Sequence, residues 1–258
     1  MPEFSEYPAG TPSWVDHAAK DVAASNAFYS SLFGWDAEDQ GEEMGHYTLL
    51  RKDGRTVAGN MAVMMEGQPS AWVNYVSVDD ASATVDLAKR AGATVFVDPM
   101  DVSDIGRMAV FADPTGAAIG VWQPKTFKGA ELANEPGSFA WTELNTRDLP
   151  AAKAFYTEVF GWTANEMDMG GMSYTEWKLG DRSVAGMMAM PEMVPAEVPA
   201  YWLVYFAVDD TDAAVAKANG AGAATLLPPT DIPPGRFAVL ADPDGAPFAV
   251  IKMNPMGS

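Results

Sequence analysis

Phe28-Tyr29-Ser30-Ser31-Leu32-Phe33-Gly34-Trp35 returns as Phe155-Tyr156-Thr157-Glu158-Val159-Phe160-Gly161-Trp162, 127 residues further on. Two more anchors follow in the same order. Val78-Asp79-Asp80 recurs as Val208-Asp209-Asp210, and Gly106-Arg107 through Ala112-Asp113-Pro114 recurs as Gly235-Arg236 through Ala241-Asp242-Pro243, at offsets of 130 and 129. Offsets that drift by so little fit a duplication with small loop changes between the copies. The chain therefore divides into residues 8–124 and 137–254, with 125–136, which carries Gly129 and Pro136, as a linker.

Each half reads alike. Ser13 to Ala18 is a short strand, and Asp21 caps a helix whose Ala24, Phe28 and Leu32 share one face and which Gly34 terminates. The matching helix runs from about Asp148 to Phe160. His46 to Arg51 and Thr56 to Met64 alternate as a hairpin around Asp53-Gly54, a role Gly180-Asp181 takes in the second half. A strand from Trp72 to Val78, a helix from about Ala81 to Ala91, and strands at Thr94–Val97, Arg107–Ala112 and Ala117–Trp122 complete the half. The order is βαβββ twice per half, hence four such modules in an α+β architecture with helices outside curved mixed sheets.

Composition narrows the partners. Sixteen basic against 35 acidic residues give a formal charge of −19, which repels phosphate backbones and anionic membrane surfaces, so neither nucleic acid nor membrane is expected as a partner. The chain has no cysteine, so disulfides, thiolate metal sites and cysteine nucleophiles are out of reach. An acidic start, Met1-Pro2-Glu3-Phe4-Ser5-Glu6, does not resemble a secretory signal, and no run approaches a membrane span; the reading is a soluble, cytoplasmic protein. Neither GxxxxGK[ST] nor GxGxxG occurs to seat a nucleotide, and no GxSxG elbow presents a serine.

A strand, a helix ending in FYxxxFGW, a VDD before a second helix and a late ADPxG hairpin together resemble the vicinal oxygen chelate superfamily. It holds glyoxalase I, extradiol dioxygenases, fosfomycin-resistance enzymes and bleomycin-binding resistance proteins. The two-domain form resembles actinobacterial glyoxalase-like proteins. The resemblance implies cup-shaped sheets and, in its enzymes, a divalent metal held by His and Glu or Gln from four strands. Carried onto this chain, the first ligand position falls on Trp14 and Trp141, the second near Gly59 and Asn60 and near Gly186 and Met187. The third falls on Val73 and Leu203, the fourth on Gly120 and Ala249. Indole cannot ligate, and none of the other positions offers a good ligand. His17 and His46 are the only two histidines; His17 alternates to the strand face opposite Trp14, toward the surface or the core edge, and His46 begins a hairpin as an exposed residue. No metal and no other cofactor is expected.

Strand alternation instead lines each bowl with organic surface. Trp14, Asp16, Val73, Tyr75, Ser77, Ala118, Gly120 and Trp122 point into the first, and Trp141, Glu143, Leu203, Tyr205, Ala249 and Ile251 into the second. Small residues at the ligand positions leave space and aromatic rings supply flat walls, which describes an apolar pocket with few polar groups. Methionines at 61, 64, 65, 187, 188 and 190 gather on the equivalent hairpin strands, where they either adapt to a guest or pack beneath the sheet. Asp16 and Glu143 occupy homologous positions beside a bowl tryptophan. Burial would raise their pKa and suit them to proton transfer, to orienting a ligand, or to pairing with Arg107 or Arg236.

The leading expectation is a metal-independent binder of a bulky, largely apolar or aromatic small molecule, such as a natural product or drug, in a sequestering or biosynthetic accessory role. A metal-free isomerase, cyclase or hydroxylation-associated enzyme using Asp16 or Glu143 comes second, and a metal-dependent glyoxalase or dioxygenase third. Because fused halves supply internally an interface that single-domain relatives make by dimerising, a monomer suffices, with a homodimer open.

Overall fold

The computed structural model describes residues 6–64, 67–168, 173–192 and 194–254. Each half forms one eight-stranded mixed sheet. In the first, β1 (Pro12–Ala19), α1 (Val22–Phe33), β2 (Asp36–Asp39), β3 (Thr48–Lys52) and β4 (Arg55–Ala62) make one module. β5 (Ala71–Ser77), α2 (Ala81–Arg90), β6 (Thr94–Val102), β7 (Gly106–Ala112) and β8 (Ala118–Pro124) make the next. The second half repeats this as β9 (Phe139–Thr146), α3 (Leu149–Phe160), β10 (Thr163–Asp168), β11 (Ser173–Leu179), β12 (Arg182–Ala189), β13 (Tyr201–Ala207), α4 (Thr211–Gly220), β14 (Ala224–Ile232), β15 (Gly235–Ala241) and β16 (Pro247–Met253). The strand orders are 2-3-4-1-5-8-7-6 and 10-11-12-9-13-16-15-14, so the modules of a half join through antiparallel β1–β5 and β9–β13.

Local chemistry sets the helix ends. Asp21, Asp80, Asp148 and Asp210 each accept the amide three residues on at 2.9–3.0 Å, so the second aspartate of each VDD is a helix cap. Gly34 and Gly161 close α1 and α3 at φ 72° and 69°, where a side chain would strain the backbone. The apolar face of α1 differs from the expected one: Ala24 is exposed, while Ser25 and Tyr29 turn inward with Phe28 and Leu32. Strands β2 and β10 escaped the pattern because every residue in them is exposed and polar residues dominate, leaving no alternation to see.

The sheets share two cores on the faces opposite the bowls. One joins α1, β3 and β4 to β13, α4, β15 and β16; the other joins α2, β7 and β8 to α3, β11 and β12. The repeated motifs are the clasps. Trp35 Nε1 donates to Gly137 O at 2.6 Å and Trp162 Nε1 to Gly10 O at 2.7 Å, each reaching the other half. Tyr29 Oη donates to Asp242 Oδ2 at 3.0 Å and Tyr156 Oη to Asp113 Oδ2 at 2.8 Å, again across the divide. So the tyrosine of FYxxxFGW in one half is held by the ADPxG aspartate of the other. Residues 125–136 do more than connect: Ala130, Leu132 and Ala133 are buried, and Ala130 N donates to Ser13 O at 2.8 Å.

His17 is a correction to the surface or core-edge expectation. It is fully buried on the shared-core side of β1, with Nε2 3.1 Å from Asp242 Oδ2 and Nδ1 3.0 Å from Ser25 Oγ. His46 is exposed as expected, and its Nδ1 lies 2.9 Å from Asp39 Oδ2.

Candidate functional site

The bowl residues do gather on one face of each sheet. Trp14, Tyr75 and Trp122 pack with Val73, Met108, Val110 and Phe127 in the first half; Leu203, Tyr205, Ala249 and Ile251 pack with Trp141, Tyr201 and Phe237 in the second. Register explains it: Trp14 pairs with Tyr75, Asp16 with Val73 and Gly59, and Tyr75 with Gly120, so these positions lie on one side of adjoining strands. In the second sheet Glu143 pairs with Leu203 and Gly186, and Tyr205 with Trp141 and Ala249. Asn60 and Met187, next to those glycines, face the shared cores instead.

At the centre of each bowl sits one acid in a relay of hydrogen bonds. Trp14 Nε1 donates to Tyr47 Oη at 3.0 Å, Tyr47 Oη donates to Asp16 Oδ2 at 3.3 Å, and Tyr75 hydrogen-bonds the same carboxyl. In the second bowl Trp141 Nε1 donates to Tyr174 Oη at 3.0 Å, Tyr205 Oη donates to Glu143 Oε1 at 3.1 Å, and Tyr174 also bonds Glu143. Asp16 and Glu143 are 5% and 6% exposed. Burial outweighs the tyrosine hydrogen bonds and pushes the Asp16 carboxyl up to about 7, and it raises Glu143 in the same direction. The phenols respond in kind, as burial and the neighbouring carboxyl both raise Tyr47, Tyr75, Tyr174 and Tyr205.

Tyr47 and Tyr174 are the residues that sequence reasoning missed. The repeat holds the signal, since they stand 127 apart and each precedes threonine, but a tyrosine at a hairpin edge does not announce which face it takes. They correct the expectation of open space. A Cβ added at Gly59 would lie 1.8 Å from Tyr47 Oη, one at Gly186 1.8 Å from Tyr174 Oη, and one at Gly120 2.2 Å from Tyr75 Cδ1. The room beneath these glycines is filled by the chain's own phenols. Arg107 and Arg236 are not partners of the bowl acids: Arg107 pairs with Asp101 at 3.1 Å, and Arg236 with Asp212 at 2.7 Å and Asp231 at 3.0 Å. Met187 is in a shared core, Met64 is exposed, and Met65 lies outside the described residues.

These residues do not fit a divalent ion. Such an ion needs three or more oxygen or imidazole donors at one point, whereas each bowl offers one carboxyl already bonded to two phenols. Among the described residues no group of three or more His, Asp or Glu side chains converges.

Comparison with known proteins places the chain. It is 45% identical over 263 residues to CFP32 of Mycobacterium tuberculosis, a protein named as a glyoxylase, covering 99% of both chains. It is 38% identical to the anthracycline biosynthesis protein DnrV of Streptomyces peucetius, covering 97% of this chain and 96% of that one. Among solved structures, the Mn(II)-bound glyoxalase from Novosphingobium aromaticivorans matches with a TM-score of 0.65 at 18% identity, over 95% of this chain and 82% of that one. A 2,2',3-trihydroxybiphenyl 1,2-dioxygenase from Sphingomonas wittichii matches at 0.66 and 13% identity, over 95% and 90%. At such identities the structures speak for the fold alone. No helix is long and apolar enough to cross a membrane, among the described residues. The glyoxalase family model covers residues 12–121 and again 138–250, and the chain belongs to the glyoxalase/bleomycin resistance protein/dioxygenase superfamily.

Proposed function

We propose that this protein binds a bulky, largely apolar or aromatic small molecule without a metal ion, as a sequestering protein or a biosynthetic accessory. One observation carries the reading: where the superfamily's enzymes place metal donors, both bowls present indole, aliphatic carbon or glycine, and the remaining centre is an indole–phenol–carboxyl–phenol relay. Such a floor favours stacking and apolar burial, with the acid and phenols orienting an oxygen or nitrogen of the guest. The 38% identity to an anthracycline biosynthesis protein supports a polycyclic aromatic guest.

A second reading rests on the raised Asp16 and Glu143. Burial raises both carboxyls, Asp16 to about 7, and a raised carboxyl suits acid–base catalysis, so a metal-free isomerase, cyclase or hydroxylation-associated enzyme would use these two acids. Trp14→Ala and Trp141→Ala, with folding checked by circular dichroism, test the binder: affinity for a polycyclic hydroxyquinone should fall at least tenfold in one or both. Unchanged affinity in both, or a stoichiometric transition metal in protein purified without a chelating tag, would overturn the proposal. Asp16→Asn and Glu143→Gln divide the two readings, since lost turnover with retained affinity selects the enzyme.

A further inference from the structure

The two bowls share one floor but not one roof or one set of polar neighbours. Over the first, residue 127 of the connecting segment closes down: the Phe127 ring meets Trp14 edge-on at 4.9 Å and Trp122 at 5.8 Å, and Trp122 Nε1 donates to Phe127 O at 2.9 Å. Gly129 fixes that segment, because at φ 124° its Cα comes so near β1 that a Cβ would lie 2.4 Å from Ser13 O. Trp14 is left 5% exposed. Over the second bowl Ile251 stands where Trp122 does, no described ring pairs with Trp141, and Trp141 is only partly buried.

The second bowl is also richer in polar and aromatic groups. Asn145 and Tyr201 replace Ala18 and Ala71, Asn145 Nδ2 reaches Glu143 O at 3.5 Å, and Tyr201 lies close enough to feel the Glu143 charge. From β9, β11 and β13 the groups facing this acid are Asn145, Tyr174, Tyr201 and Tyr205, and none is basic. On the same face of β11, Lys178 is paired with Glu176 at 3.4 Å.

A lone buried acid among aromatic rings, with no counter-cation among the described residues, in a chain of net charge −19, is complementary to a positive group. Ring faces attract cations, and an entering ammonium relieves the desolvation that burial imposes on the carboxylate. We propose that the second bowl is the working site and that its guest is an organic cation, with an amine against Glu143 and a flat apolar body stacked on Trp141. This rests on the binding reading above and sharpens it.

Two probes of matched shape test it by isothermal titration: 9-(aminomethyl)anthracene, protonated at neutral pH, and neutral 9-anthracenemethanol. At pH 8 the amine should bind one site per chain at least tenfold more tightly than the alcohol. Glu143→Gln should abolish that preference while keeping the alcohol's affinity, and Trp141→Ala should weaken both probes. His46→Ala, at an exposed position outside both bowls, should alter neither, and Trp14→Ala should weaken them less than Trp141→Ala does. The preference should shrink at pH 6, where Glu143 holds its proton more fully. Should Glu143→Gln misfold, Asn145→Ala and Tyr201→Phe, each expected to reduce the amine's affinity severalfold, carry the test. Equal affinities for amine and alcohol would overturn the cation and leave the bowl reading standing. A loss on Trp14→Ala with none on Trp141→Ala would overturn the choice of bowl, and no binding of either probe would overturn both readings.

Discussion

The two places where the halves clasp each other are the same in plan and opposite in character. In one, Trp202 donates to Tyr156 at 2.9 Å and Tyr156 to Asp113 at 2.8 Å, beside Leu144, Ala152 and Met187, all fully buried. In the other, Trp72 donates to Tyr29 at 2.8 Å and Tyr29 to Asp242 at 3.0 Å, but the neighbours are His17, Ser25 and Asn60. The indole–phenol–carboxylate line is thus the part of the clasp that the fold requires, because each copy buries an aspartate at a hairpin turn and must give it partners. The surrounding triplet is free to be apolar or polar provided it changes as a set. A serine, a histidine and an aspartate in one hydrogen-bonded line invite a catalytic reading, yet His17 is fully buried and Ser25 sits on the buried face of α1, so the group holds the halves together.

Breaking the polar clasp should have the largest effect. Asp242→Ala strands His17, Tyr29 and the Ala246 amide, and should cost about 3–5 kcal/mol in urea unfolding. Asp113→Ala, with no buried imidazole opposite, should cost less, about 2–3 kcal/mol; equal losses would remove the distinction between the clasps.

The acids of clasp and bowl should also move stability in opposite directions with pH. Burial tends to raise Asp242, but the hydrogen bond and charge of His17, with the Ala246 amide and Tyr29 hydroxyl, hold it below the usual range. Its contribution is present above the unfolded carboxyl pKa and fades as pH falls through the folded one. Asp16 is raised to about 7, so the folded state holds a proton the unfolded chain has released, and stability is lost as pH rises from the ordinary carboxyl range to about 7. Asp16→Asn should therefore be worth about 4 kcal/mol more at pH 8 than at pH 4, read from urea unfolding at the two values. A pH-independent difference would deny the raised titration.

Converting one clasp into the other is a subtler test. His17→Leu alone should destabilise by about 1–3 kcal/mol by leaving Ser25 and Asp242 short of a partner. Adding Ser25→Ala and Asn60→Met, the residues of the other clasp, should recover most of that loss, measured as non-additivity in unfolding free energy. Smallest of all, Phe127→Ala removes one partly buried ring from the first bowl and should cost about 1 kcal/mol. It should also red-shift Trp14 emission, and an unshifted spectrum would mean that Phe127 does not cover that indole.

Much of the fold was legible because repetition lets one half vouch for the other. The FYxxxFGW, VDD and ADPxG anchors exposed the duplication, and Asp21 was legible as the cap of α1, whereas β2 and β10 carried no signal. Strand alternation put Trp14 with Asp16 and Trp141 with Glu143 on the bowl face. It could not rank side chains that compete for one space: Gly59 looks like room until Tyr47 is seen to fill it, and Gly186 until Tyr174 does. Likewise Phe127 reads as part of a polar linker, though its ring closes a bowl.

Sequence alone settled the duplication, since that depends on residue identity and spacing along one chain. It also gives the formal charge of −19. Tertiary structure decided which half satisfies which. Tyr29 and Asp242 are 213 residues apart, and their hydrogen bond exists only because two sheets pack face to face. His17 is buried rather than exposed for the same reason, and the two like floors became unlike bowls because one connecting segment folds back over β1. Periodicity reports which face a side chain takes, but the partner across that face is chosen by packing between segments distant in the chain.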